Sequence, residues 1–210
     1  MSLTIISALC AYLTGSIPFG YIAGLVYGVD IRAKGSGNIG ATNVFRVLGK
    51  KPGILVFVLD AAKGVAAVRV IPQYAAYACG APEPAVSVIL LCAAAVFLGH
   101  VFPAWLGFKG GKGVATGLGI AIGIAPFSVA VALAVWIAVF CIGRYVSLAS
   151  ISAAVVLAVA AWFLDNAGEP RNYAPAVITA LAAFVVLKHK SNIGRLIAGN
   201  ENRFSFKRDK

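Results

Sequence analysis

Long apolar runs alternate with short polar intervals along the whole chain. Runs 3–27, 53–72, 85–106, 147–165 and 174–188 read as membrane-spanning helices, for which ~20 apolar residues, or as few as ~17, suffice. Segment 114–141 is apolar throughout and too long for one ordinary span. Gly117, Gly119, Gly123 and Pro126 offer a break inside it.

The basic residues decide between one crossing and two. Arg32, Lys34, Arg46, Lys50 and Lys51 share one loop, and Lys188, Lys190, Arg195, Arg203, Lys207, Arg208 and Lys210 share the tail. Lys and Arg collect on the cytoplasmic side, so both segments are expected there. With the N-terminus outside, the tail returns to the cytoplasm only if 114–141 crosses twice. The pattern therefore predicts an all-α polytopic membrane protein of seven transmembrane helices, some short or broken, with the C-terminus cytoplasmic. Each half of 114–141 is short, which requires a thinned bilayer or burial against protein. No internal repeat, low-complexity tract or long linker divides the chain, so 1–210 reads as a single domain.

Composition agrees with this picture. The 210 residues are 60% hydrophobic and only 12% charged, too little polarity for the surface of a soluble domain. The net charge of +11 lies in the loop and the tail, where membrane topology accounts for it, and no basic nucleic-acid fold is present. Cys10, Cys79, Cys92 and Cys141 lie in or beside apolar runs without metal spacing, so neither disulfides nor zinc are expected. The opening Met1-Ser2-Leu3-Thr4 has no basic n-region, so the first run reads as a span and not as a cleaved signal.

Three polar clusters interrupt this apolar background. The first is Gly35-Ser36-Gly37-Asn38-Ile39-Gly40-Ala41-Thr42-Asn43, followed by Arg46. Glycines let backbone amides turn toward an anion, and an arginine adds a planar fork for phosphate. A plain connector has no need for Asn38, Asn43 and Arg46 so close together. The second is Lys109-Gly110-Gly111-Lys112-Gly113, preceded by Gly99-His100. Backbone amides between two lysines at a helix start make an anion site. The spacing is not that of a Walker loop, and no acidic magnesium partner follows. His100 by itself reads more readily as a structural hydrogen-bonder than as a catalyst.

The third cluster is Lys188-His189-Lys190-Ser191-Asn192, with Arg195 and Glu201 beyond it. His189 and Asn192 are three apart and share a helix face, an arrangement suited to handling a proton. A basic stop-transfer flank explains the lysines but not His189, Asn192 or Glu201. Two smaller pairs remain. Asp60 and Lys63 lie inside the second span, where charges are costly and are expected to pair. Ser147 and Ser150 sit at a helix end beside Arg144 and suit either phosphate contact or helix packing.

In this order the three clusters resemble the motifs of the bacterial acyl-phosphate:glycerol-3-phosphate 1-O-acyltransferase family, PlsY, over essentially the whole chain, with no departure at the motif positions. The resemblance implies a seven-helix inner-membrane enzyme whose active site faces the cytoplasm. It implies acyl transfer from acyl phosphate to the 1-hydroxyl of glycerol 3-phosphate, giving lysophosphatidic acid and phosphate. Membrane lipid is the surrounding partner. Neither acyl-CoA nor acyl carrier protein would be the donor, and no metal or other cofactor is implied.

Carried onto this chain, the resemblance makes Ser36, Arg46, His189 and Asn192 catalytic. Gly35, Gly37, Asn38, Gly40, Thr42, Asn43, Lys109, Gly110, Gly111, Lys112, Gly113, Ser147 and Ser150 become substrate-binding candidates. Ser36, Gly37 and Asn38 would hold the acyl phosphate, and Arg46 and Lys112, with Ser150 as a further candidate, glycerol 3-phosphate. His189 with Asn192 would orient the hydroxyl or take its proton, unless substrate phosphate is the base. Glu201 would hold the tail, through a nearby arginine. A transporter for a small organic phosphate and a Ser36–His189 hydrolase are the competing classes. A CDP-alcohol phosphotransferase would need clustered aspartates for metal, which the seven scattered acidic residues do not supply.

Overall fold

The computed structural model describes residues 2–165 and 173–204, and every regular element among them is a helix. Lys207, Arg208 and Lys210 of the basic tail lie outside the described residues. The chain divides into two compact units that meet in sequence between Gly123 and Ile124.

The first unit holds α1 (Ser2–Ser16), α2 (Phe19–Val26), α3 (Ala41–Leu48), α4 (Lys50–Ala78), α5 (Val86–Val101) and α6 (Val114–Ile124). Pro18 separates α1 from α2, since proline has no N–H to continue the ladder. α1 packs on α5 at very close range. A Cβ on Gly15 would overlap the Val96 carbonyl, and one on Gly99 the Tyr12 carbonyl, the small-residue contact typical of membrane helices. The same contact joins α4 to α6, where Gly64 meets the Thr116 carbonyl and Gly119 the Ala61 carbonyl.

The polar loop expected between the first two runs contains a helix, α3. Its Val44 and Leu48 are buried with Ile31, Ile39 and Val56, so an apolar face two turns long is enough to fold it onto its neighbours. α4 is longer than the expected 53–72. It runs through a buried Pro72 to Ala78.

The second unit holds α7 (Pro126–Gly143), α8 (Val146–Leu164), α9 (Ala174–Lys188) and α10 (Lys190–Ile197). Segment 114–141 is broken as expected, at Ala125-Pro126, and Pro126 takes the first position of α7 where its missing N–H costs nothing. The next two amides, of Phe127 and Ser128, donate to the Asp165 carboxylate at 3.2 and 3.0 Å, and Ser128 Oγ donates to it as well. Asp165 at the end of α8 thus caps α7. Asp165→Ala is expected to lower stability by about 0.5–2 kcal/mol, the usual cost of a lost cap, read as a lower unfolding temperature in detergent. An unchanged temperature would remove the cap from the account.

Four described stretches are long and apolar enough to cross a bilayer: Leu3–Val26, Val86–Leu106, Pro126–Gly143 and Val146–Leu164. A fifth, Ala174–Lys188 with Lys190–Ile197, is bent by 56° at His189. This count stops short of the seven predicted from sequence. α4 carries Asp60, Lys63 and Arg69, and α6 has only 11 residues. The four cysteines are free thiols.

Candidate active site

The first polar cluster is shaped by one side chain. Asn43 is 2% exposed. Its Oδ1 accepts from the Ser36 amide at 2.8 Å, and its Nδ2 donates to the carbonyls of Ile31 and Lys34 at 3.1 and 3.0 Å. Asn43, expected among the substrate contacts, therefore has its amide engaged inside the loop. Asn38 Oδ1 accepts from the Gly40 amide at 2.8 Å. Gly35 and Gly37 have φ of +60° and +71°, which a side chain rarely adopts. The result is an exposed tip at Ser36 and Gly37, with Asn38 half-buried. Thr42 lies in the first turn of α3 and Arg46 in its last. Arg46 is exposed and forms no ion pair with any described residue. Arg32, by contrast, is paired with Asp30 at 2.9 Å and lies over the Tyr21 ring.

The second cluster folds back on α5. The Gly110 amide donates to the Val101 carbonyl at 3.0 Å and the Gly111 amide to the His100 carbonyl at 3.1 Å. The expectation that these two amides face an anion therefore has to be revised, because they hold the turn. Lys109 is exposed on this turn and Lys112 half-buried, while Gly113 is buried against the Phe97 ring. Gly111 lies directly on the His100 ring, and a Cβ there would overlap Nε2.

Beneath this turn is a buried charge cluster. Lys63 and Asp60 pair at 2.7 Å with about 4% of either side chain exposed, and His100 Nδ1 is 3.5 Å from the same Asp60 oxygen. Lys63 Nζ also donates to the Gly15 and Ile17 carbonyls at 2.9 and 3.1 Å. The Asp60–Lys63 pairing is as the sequence suggested, and His100, expected as a structural hydrogen-bonder, lies beside that pair. The signal lies in its position, since His100, like Asp60 and Lys63, is a titratable side chain within an apolar run. Ser16 Oγ and Thr116 Oγ1 are buried with no hydrogen-bond partner among the described residues.

In the second unit Glu201 is the hub. Its Oε1 accepts from Ser147 Oγ at 2.8 Å and from Asn192 Nδ2 at 2.7 Å, and its Oε2 accepts from Arg195 Nε at 2.7 Å. Ser147 is thus a support of Glu201. Ser150 Oγ accepts from the Trp136 indole at 3.3 Å. The tail continues along the α7–α8 connection. Phe204 N donates to the Arg144 carbonyl at 2.7 Å, and the Phe204 ring meets Phe140 edge-on at 5.4 Å.

His189 and Asn192 do not share an unbroken helix. His189 ends α9 and precedes α10, at the bend, and both side chains are buried. His189 Nδ1 is 2.7 Å from the Val185 carbonyl. A carbonyl only accepts, so Nδ1 carries the hydrogen, and the lone pair of the neutral ring is on Nε2. That is the arrangement required of a proton acceptor.

Burial pushes the Glu201 carboxyl up, but the hydrogen bonds from Asn192, Ser147 and Arg195 outweigh it and hold the group below its ordinary 4.5. A lowered value stabilises the fold above the unfolded-state value and loses that stabilisation as pH falls through the folded one. Thermal stability is therefore expected to drop as pH falls below about 4.5, with a flatter profile in Glu201→Gln. Parallel profiles would show that the hub does not carry this dependence. No group of three His, Cys, Asp or Glu side chains among the described residues has the spacing to hold a metal.

A model of the glycerol-3-phosphate acyltransferase family matches residues 5–199. The chain belongs to that family. This acyltransferase is 46% identical over 197 residues to the glycerol-3-phosphate acyltransferase of Trichlorobacter lovleyi, covering 92% of this chain and 94% of the relative. It is 44% identical over 194 residues to that of Aquifex aeolicus, covering 92% and 95%. Its fold matches a crystal structure of PlsY (YgiH), an integral membrane glycerol 3-phosphate acyltransferase, in the glycerol 3-phosphate form, with a TM-score of 0.82 and 40% identity over 96% of each chain. The lysophosphatidic acid form of the same enzyme matches with a TM-score of 0.80 and 39% identity over 97% and 96%. This acyltransferase is thus an all-helical integral membrane protein.

Proposed function

We propose that the protein transfers a fatty acyl group from acyl phosphate to the 1-hydroxyl of sn-glycerol 3-phosphate, giving 1-acyl-glycerol 3-phosphate and inorganic phosphate. The observation that carries this reading is the whole-length likeness to an enzyme seen in both a glycerol 3-phosphate form and a lysophosphatidic acid form.

The chain's own residues suit the chemistry. An acyl phosphate is a mixed anhydride with a good leaving group, so the hydroxyl oxygen can attack the acyl carbon directly. The new C–O ester bond forms as the C–O bond to phosphate breaks, and phosphate leaves with the electron pair. In the first unit, Ser36, Gly37 and Asn38 hold the acyl phosphate. Arg46 and Lys112, flanked by Lys109 and Gly113, neutralise the phosphate of the acceptor, lowering repulsion between two anions and stabilising the transition state. In the second unit, Asn192, oriented by Glu201, positions the hydroxyl, and His189 Nε2 takes its proton. Ser150 adds a hydroxyl for phosphate.

Seven crossings follow if α4 and α6 join the five apolar stretches. α4 has 29 residues and ~1.5 Å rise per residue, ample for a span, and its buried Asp60 and Lys63 pair with each other. α6 is short but is shielded from lipid by its glycine contact with α4. An odd number of spans separates the termini. The Arg- and Lys-rich 28–52 loop and tail then face the cytoplasm, with the active site, across the bacterial inner membrane.

The test supplies purified protein in lipid with labelled glycerol 3-phosphate and either palmitoyl phosphate or palmitoyl-CoA. Labelled lysophosphatidic acid from the acyl phosphate alone is expected. Product from palmitoyl-CoA alone would overturn the donor assignment. No product from either, with labelled glycerol 3-phosphate crossing the bilayer, would replace acyl transfer by transport.

A further inference from the structure

The Asp60–Lys63–His100 cluster lies between two loops that the proposed chemistry treats separately. Lys63 Nζ holds the Gly15 and Ile17 carbonyls, which lie at the Pro18 break. Just beyond the break, Gly20 of α2 lies so close to the Ile39 carbonyl that a Cβ would overlap it, and Lys63 Nζ lies 5.5 Å over the Phe19 ring. This end of the cluster therefore bears on the first glycine loop. At the other end, His100 lies under Gly111 with its own carbonyl bonded to the Gly111 amide. That end bears on the second loop. A narrow crevice marks the meeting point, lined by Ser16, Pro18, Ile39, Asp60, His100 and Pro103.

We infer that Asp60, Lys63 and His100 form a positioning triad that fixes the two glycine loops at a set separation, and so sets the fit of the phosphate of glycerol 3-phosphate. The inference rests on the acyl-transfer reading for its substrate. The triad does not touch the reacting atoms in this account. It acts through the backbone at Gly111 and at Ile39. Charges are chosen here over apolar side chains because a charge network in a low-dielectric interior is directional.

The test compares His100→Leu, which fills the site without a donor, with His100→Asn, whose amide N–H can replace Nδ1–H toward Asp60. KM and kcat are measured for glycerol 3-phosphate, and Kd for the same compound by calorimetry. His100→Leu is expected to raise KM and Kd at least about tenfold with kcat changed by less than about threefold, and His100→Asn to restore both constants to within about threefold. Wild-type constants in His100→Leu would overturn the triad. So would a loss confined to kcat, which would make His100 a participant in the chemistry, or an asparagine variant no better than leucine.

If His100→Leu does not fold, the neutral pair Asp60→Asn/Lys63→Gln decides. A raised KM and Kd sustain the inference, and unchanged constants reject it. Wild-type protein that makes no product yet binds glycerol 3-phosphate, more weakly in the variants, would reject acyl transfer and keep the triad. Wild-type protein that does neither would remove both.

Discussion

Arg46→Ala is expected to lower kcat/KM for glycerol 3-phosphate by about a hundredfold to a thousandfold, the loss that follows removal of one preorganised donor from a developing charge. The side chain is well placed for a purely functional role. It is exposed, lies in the last turn of α3, and has no ion pair among the described residues. The apolar face of α3 looks the other way, with Val44 and Leu48 in the core. The unfolding temperature should therefore stay at the wild-type value while activity falls. Arg46→Lys restores charge but not the planar fork, so only part of the loss should be recovered. Near-wild-type kcat/KM in the alanine variant would take Arg46 out of the site.

Lys63→Leu is expected to be the most destabilising of these single changes, by about 3–5 kcal/mol, the cost of leaving a buried charge without its partner. Asp60 would remain 4% exposed with its ammonium gone, and the Gly15 and Ile17 carbonyls would lose their donor. Denaturation by SDS titration reads the effect. Adding Asp60→Asn to the same variant removes the stranded charge and should recover part of the stability. A Lys63→Leu protein as stable as wild type would show that the pair contributes little to holding the fold.

Apolar run length and glycine or proline punctuation made most of the helices legible. The break at Pro126 is the clearest case, because proline's missing N–H acts locally and shows in the sequence. Pro72 illustrates the limit of the same rule, since α4 runs through it to Ala78. The bend at His189 was not legible. The run 174–188 passes directly into polar residues that also form helix, and only the three-dimensional contact of His189 with Val185 marks the junction.

The polar clusters were legible as residue types but not as partners. Asn43 and Gly111 look like ligand contacts in a one-dimensional reading, and their hydrogen bonds run to backbone groups of the protein instead. Local pattern cannot tell a group that faces a substrate from one that shapes the loop beside it. The same holds for Ser147, whose hydroxyl finds Glu201 from 54 residues away.

The Lys63 contacts also bear on how the first span is completed. Two carbonyls of the first span are satisfied by a lysine that follows them by 48 and 46 residues. In lipid an unpaired carbonyl costs several kcal/mol. The backbone at the Pro18 break therefore depends on α4, and a chain cut between α1 and α4 would leave that end of the first span with two carbonyls to satisfy in some other way.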